Sequence, residues 1–268
     1  MLRFFVIIKT MKNTIKLLKS LRIVLAVLFV VCAAAAVFDL VTSKKEKAEI
    51  NSIVEFVHKQ SEDKTIDPEI AFMNNFEELK NQNSNLKGWL KIDAAEIDLP
   101  VMTNGESEQY YLHRSFDGSY SQRGTLFIDD FCDPDSDFFI VHGHSMKDGT
   151  MFGQLYKLCN QNTYEQNKTF TYYANGNKYT YEIVSAFHTR IFMSNEEGFR
   201  YYEYSGFKSE KEFKEFMDNS LALSEINTNI KCEYGDRIMV LSTCSNVFEM
   251  GRLVVVAKQV SYEKINNH

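Results

Sequence analysis

Ile238-Met239-Val240-Leu241-Ser242-Thr243-Cys244 is an apolar run that closes on a cysteine, and Arg252-Leu253-Val254-Val255-Val256 opens a second run eight residues later. Two such runs, rich in β-branched residues and separated by a stretch too short for a helix, read as adjacent antiparallel strands joined by a turn. That pairing brings the cysteine closing one strand and the arginine opening the next to the same end of the sheet.

The pattern extends upstream. Strand-like runs fall at 89–92, 97–101, 125–129, 138–142, 169–174 and 178–187, with 237–242 and 253–260 completing the set. Asn175-Gly176 between two aromatic-rich runs is a strong hairpin signal. Eight short strands with few helices predict a mainly β fold, a closed or nearly closed barrel. Helices interrupt it twice. A short one is expected at 151–158. A longer one is expected at 207–223, where Ser209 and Glu212 form a capping box and Phe213, Phe216, Met217 and Leu221 form an apolar face. The stretch 190–236 is therefore a helical insertion between two strands.

The N-terminal third is different. Residues 1–22 carry six basic residues and no acid. The whole chain has a net charge of −6, which leaves −12 for the remainder. Ile23–Phe38 is an unbroken apolar stretch near the lower limit for a spanning helix. A basic flank of this kind stays in the cytoplasm and puts the C-terminal bulk outside. Cleavage as a signal peptide within Ala33–Ala36 is the competing reading. Residues 42–84 read as a stalk with docked helices, in which Ile50, Ile53, Val54 and Val57 have helical spacing. Phe72, Phe76 and Leu79 repeat that spacing after Asp67-Pro68, a helix start. The acidic remainder makes a poor nucleic-acid binder, since phosphate binding needs a basic surface.

Five cysteines without CxxC pairs or regular spacing predict neither a disulfide framework nor a structural zinc site. Cys132, Cys159 and Cys232 read as small buried hydrophobes. Cys244 is different because His144 and Arg252 also lie at strand ends. A thiol attacks as thiolate, imidazole titrates near neutral pH, and a guanidinium is a permanent cation with fixed donors. His142 competes with His144. Asp129 or Asp130 offers a carboxylate to orient His144. A zinc site of His142, His144 and Cys244 is the weaker alternative, since no second ligand pair appears. Ser242 and Thr243 are candidate substrate-binding donors beside the thiol. Tyr110, Tyr111, Phe116, Tyr201, Tyr202 and Tyr204 read as packing residues first and as a peptide groove second.

These residues resemble a known family. Leu241-Ser242-Thr243-Cys244 followed by Arg252 resembles the signature of sortases, the cysteine transpeptidases of Gram-positive surfaces. His142-Gly143-His144-Ser145-Met146 followed by Thr150-Met151-Phe152 resembles the histidine motif of class B sortases. Gly88-Trp89-Leu90 with Ile97-Asp98-Leu99-Pro100-Val101, and Gly124-Thr125-Leu126-Phe127-Ile128-Asp129, match the same class. So does the insertion at 190–236, where class B members carry an extra helix. The resemblance covers roughly residues 85–265.

It implies an eight-stranded sortase-type barrel at 85–268, helices at 42–84, a transmembrane signal-anchor at 23–41 and a basic cytoplasmic segment at 1–22. It also implies that Cys244 attacks the Thr carbonyl of a C-terminal sorting motif, Asn-Pro-x-Thr or similar, in a secreted protein. His144 then protonates the leaving amine and Arg252 holds the oxyanion. A peptidoglycan amine takes the acyl group, with no metal or organic cofactor, at the outer face of a single-pass membrane protein. Pilin polymerisation and an inactive sortase-like binding module are the alternatives.

Overall fold

The computed structural model describes residues 2–61, 65–103 and 107–265, with side chains from residue 18 onward. The side chains that give the N-terminal segment most of its basic charge therefore lie outside the described residues. The chain forms two compact units, residues 1–49 and 50–268. One helix, α1 (Leu2–Val57), contributes to both. In the first unit it is apolar and exposed, and its most apolar 18-residue window has a mean hydropathy of 2.8 with 0% buried. It is long and apolar enough to cross a membrane.

The second unit is built on eight strands: β1 (Leu86–Ile92), β2 (Ile97–Met102), β3 (Leu126–Ile128), β4 (Phe138–His142), β5 (Thr169–Ala174), β6 (Asn177–Arg190), β7 (Ile238–Cys244) and β8 (Gly251–Lys264). They close into a barrel in the order β1-β2-β3-β4-β7-β8-β6-β5. β2 with β3, and β4 with β7, run parallel, and every other neighbouring pair is antiparallel. The expected runs are all strands. β6 and β8 extend beyond their expected ends because they pair with each other from Asn177↔Lys264 to Arg190↔Gly251. Asn175 and Gly176 both take positive φ, as the tight β5–β6 turn requires.

The central strands are buried on both faces: Val240 and Leu241 are neighbours on β7, point to opposite faces and are both fully buried. Leu90, Ile140, Val240, Leu241, Val254 and Val256 are all fully buried. A second cluster lies where helices dock. The end of α1 (Val57) and α2 (Pro68–Gln82) bring Phe72, Met73, Phe76 and Leu79 against Leu86, Trp89, Phe127 and Tyr173. Asp67 caps α2 by accepting a hydrogen bond from the Glu69 amide at 2.8 Å, with Pro68 in the first turn. Trp89, the chain's single tryptophan, is completely buried. Its Nε1–H donates to Asp98 Oδ1 at 2.5 Å, and the His58 ring holds Asp98 Oδ2 at 2.8 Å.

Two helical expectations need correction. No regular helix spans 151–158. A 3-10 segment occupies Leu155–Cys159, and the short α3 (Gln161–Gln166) follows it. The preceding residues are held in turns: Met151 has φ 55°, and a Cβ on Gly153 would lie 2.4 Å from the Met146 carbonyl. Local steric packing therefore overrides helical spacing. The insertion does carry α4 (Glu210–Leu223), and Ser209 accepts the Glu212 amide at 3.2 Å. Its buried face is Phe213, Phe216, Met217 and Ser220, while Leu221 sits at the rim, 42% exposed. The Ser220 hydroxyl is satisfied by the Phe216 carbonyl at 2.8 Å, so a small residue can sit against the barrel.

Trp89→Phe keeps an aromatic ring at this buried position but leaves a small cavity and removes the indole donor to Asp98. A hydrogen bond to a charged acceptor contributes about 1.5–3 kcal/mol. Denaturant unfolding followed by circular dichroism is expected to show a loss of that order, and an unchanged midpoint would refute it.

Candidate active site

β7 lies between β4 and β8, and this position assembles the site. Cys244 is the last residue of β7 and is exposed. Its direct cross-strand partner is Arg252, on β8. The two strands are joined by a tight turn. The Ser245 amide donates to the Gly251 carbonyl at 2.9 Å, and the Gly251 amide donates to Phe248 at 3.0 Å. A Cβ on Gly251 would lie 2.4 Å from the Ser245 carbonyl, so only glycine closes this turn without a shift. Arg252 is half-buried, and its guanidinium donates to the Gly251 carbonyl at 3.0 Å. Among the described residues no carboxylate forms an ion pair with it.

On the other side, β4 runs parallel to β7 and ends at His142 opposite Ser242. The chain then turns at Gly143, whose amide donates to the Ser242 carbonyl at 3.2 Å and whose carbonyl accepts the Thr243 hydroxyl at 2.7 Å. A Cβ there would lie 2.3 Å from Leu126 Cδ2. The turn is therefore tied to the end of β7, and it delivers His144, half-buried, to the same rim. His144 Nε2 lies 2.9 Å from the Leu112 carbonyl. A carbonyl only accepts, so Nε2 carries the proton and Nδ1 is left to exchange one. Burial, together with the neighbouring His113, holds the His144 pKa below its ordinary value, with the Leu112 bond opposing.

Contacts distinguish the groups at this rim. His142 Nε2 binds Asp129 Oδ2 at 2.8 Å, and its ring lies tilted against Phe127. Asp129 therefore orients His142 and not His144. Asp130 accepts the Gln109 amide at 2.5 Å and does not orient His144 either. Ser242 and Thr243 are buried with both hydroxyls engaged: Ser242 Oγ with Tyr201 OH at 2.7 Å, and Thr243 with Gly143. Tyr111, Phe116 and Tyr201 are core residues, and Tyr110, Tyr202 and Tyr204 pack partly buried against the core. Burial pushes the Tyr201 hydroxyl up to about 12. The bond to Ser242 and the Arg252 guanidinium oppose that shift, and Cys244 adds to it.

The thiols separate by environment. Burial pushes Cys132 and Cys159 up to about 12 and Cys232 up to about 11, which makes them poor nucleophiles beside the exposed Cys244. Beside the exposed Cys244 lies a cavity of about 150 Å³, lined among others by Ser145, Phe152, Tyr156, His188 and Leu253. A volume of this order holds a side chain rather than a whole ligand. The contacts of Leu112, Tyr201 and His188 had no local signal in the sequence: Leu112 and Tyr201 come from segments distant in sequence, and His188 comes from β6 as the cross-strand partner of Leu253.

A barrel that sets an exposed thiol opposite an arginine, with an imidazole on the adjoining loop, defines a class of thiol acyl-transfer proteins. Comparison with known proteins makes that specific. The profile of the sortase domain matches residues 90–260. Sortase B of Listeria monocytogenes serovar 1/2a is 30% identical over 191 residues, covering 69% of this chain and 73% of the relative. Sortase B of Staphylococcus aureus is 30% identical over 188 residues, covering 68% and 73%. A crystal structure of a mutant form of Clostridium perfringens sortase B superposes with a TM-score of 0.69 at 25% identity, covering 80% of this chain and 97% of that one. The chain belongs to the sortase family of cysteine transpeptidases, within class B.

The depressed pKa of His144 sets a pH dependence. The unfolded ring takes up a proton near pH 6.5 and the folded ring only at lower pH. The His144 contribution to stability is therefore complete above about pH 6.5 and declines as pH falls through the folded value. Nuclear magnetic resonance titration is expected to place the His144 midpoint below that of an unstructured histidine peptide. A midpoint at or above the peptide value would contradict the burial argument.

Proposed function

We propose that this class B sortase is a single-pass membrane protein whose second unit works outside the cell, cutting a C-terminal sorting motif of secreted proteins after Thr. The observation that carries the reading is the cross-strand pair of Cys244, exposed, and Arg252, with which no carboxylate among the described residues forms an ion pair. The apolar helix supports the anchor, with the basic segment 1–22 on the cytoplasmic side. On this reading residues 23–41 span the membrane, 42–84 form the helical connection and 85–268 form the catalytic barrel.

In the proposed reaction the Cys244 thiolate attacks the Thr carbonyl carbon, and the carbonyl oxygen gains the electron pair. Arg252 donates to that oxyanion; fixed donors in this role contribute about 10²–10³-fold in rate. His144 Nδ1 holds the proton that the Cys244 thiol released to it on becoming the thiolate; the intermediate collapses, the C–N bond breaks, and the leaving amine takes that proton. The Leu112 carbonyl holds the opposite nitrogen, so the ring presents Nδ1 to this exchange. A peptidoglycan amine then attacks the thioester and gives up its proton to the neutral ring, and Cys244 leaves as thiolate. Ser242 and Thr243 serve the substrate by fixing the rim, one through Tyr201 and the other through Gly143. The side-chain-sized cavity beside Cys244 fits the requirement for a short motif such as Asn-Pro-x-Thr.

The full chain in detergent is expected to cleave quenched fluorescent Asn-Pro-x-Thr peptides after Thr and to form a thioacyl adduct on Cys244, visible by mass spectrometry. Cys244→Ala abolishes cleavage and transfer, whereas Cys232→Ala retains both. Arg252→Lys loses at least about 10²-fold, because an ammonium does not reproduce the planar fork. An adduct on another cysteine removes Cys244 from the mechanism. A folded chain with no cut and no adduct on any motif peptide supports an inactive binding module instead. Membrane fractionation tests the anchor: the full chain resists alkaline extraction, and deletion of residues 1–41 releases it.

A further inference from the structure

At the cavity beside Cys244, three residues of different chemistry converge. Cys159 ends the 3-10 segment, His188 lies near the end of β6, and Glu225 follows α4. One potential ligand atom from each lies within 4.8 Å of the other two. Their positions are set by the backbone. After α4 the chain runs along the β6 edge: the Glu225 amide donates to the Ala186 carbonyl at 2.8 Å, and the Thr228 hydroxyl donates to the Val184 carbonyl at 2.7 Å. Glu225 Oε1 then accepts both the His188 amide at 2.9 Å and His188 Nδ1 at 2.7 Å. The carboxylate is thus pinned over the imidazole, with Cys159 beside them.

We infer that Cys159, His188 and Glu225 form a zinc site. A sulfur, an imidazole nitrogen and a carboxylate oxygen are a borderline-soft donor set that selects zinc over magnesium or calcium. Tetrahedral zinc bonds of about 2.0–2.3 Å place neighbouring donors roughly 3.3–3.8 Å apart. The cluster therefore needs only side-chain adjustment: His188 and Glu225 open from their hydrogen bond, and Cys159 closes in. The thiol proton leaves to solvent as the metal binds. The His188 and Glu225 side chains are 18% and 43% exposed, which leaves an entry path and room for a water as fourth ligand. His188 also lines the cavity beside Cys244, so the metal would fix one wall of that cavity while joining the 3-10 segment, the barrel and the insertion.

The test uses the full chain in detergent with Cys32→Ala and Cys244→Ala, which removes the two exposed thiols. Cobalt(II) serves as the spectroscopic probe and zinc as its competitor. One equivalent of cobalt is expected to give a thiolate-to-cobalt charge-transfer band with the visible bands of a tetrahedral ion, and zinc displaces both. Cys159→Ser abolishes the charge-transfer band. His188→Gln and Glu225→Gln each weaken zinc binding by at least about tenfold, a typical effect of disturbing a zinc ligand set. Cys232→Ala changes nothing. Circular dichroism on each variant confirms the fold, and Glu225→Gln, at a partly exposed position, remains decisive if the others unfold. No band at saturating cobalt, a band that survives Cys159→Ser, or a Glu225→Gln variant that binds zinc as tightly as its parent would overturn the site. Peptide cleavage is not the readout, so the zinc site and the proposed transpeptidation stand or fall separately.

Discussion

The register between β7 and β8 is the constraint on which the site depends. Cys244 faces Arg252 because Ile238 faces Lys258 and every pair between them follows in step. A one-residue slip would exchange the two faces of β7, both of which are buried from Ile238 to Thr243, and bring Thr243 opposite Arg252. Burial of Met239, Val240 and Leu241 makes that slip unfavourable, so the hydrophobic core places the reacting groups. The Gly251 turn contributes from the other end, since it closes the strand pair without room for a side chain.

β7 also couples that register to the histidine. Its other neighbour is β4, and the Gly143 turn is fastened to Ser242 and Thr243 by two hydrogen bonds. Three groups from separate parts of the sequence thus converge at one end of a single strand. The buried hydroxyls of this rim are matched in pairs, Tyr201 with Ser242 and Thr243 with a carbonyl. That avoids the penalty for unsatisfied polar groups and makes the rim rigid.

Much of the barrel was readable in the chain because alternation and β-branching mark strands that are half or fully buried. The residues 238–244 and 252–256 announced their own pairing, and Asn175-Gly176 announced its turn. The short helix at 151–158 was misread because helical spacing of apolar residues does not reveal the close backbone contacts around Gly153. The partners of the site were harder still. Nothing local ties Leu112 to His144 or Tyr201 to Ser242, and these contacts exist only once the barrel closes. Asp129 likewise meets His142 and not His144 only once the fold is formed.

The closure of the sheet has a consequence for how a peptide is recognised. β7 is flanked on both sides near Cys244, and the β6 edge is covered by the segment after α4 through Glu225 and Thr228. A polypeptide arriving at the thiol finds no open ladder to join, so it cannot be read by strand addition with main-chain hydrogen bonds along its length. Selectivity must then come from individual side chains met by turns and by the insertion. Exchanging those connecting segments between barrels would transfer sequence preference while leaving the strand register, and the chemistry it positions, intact.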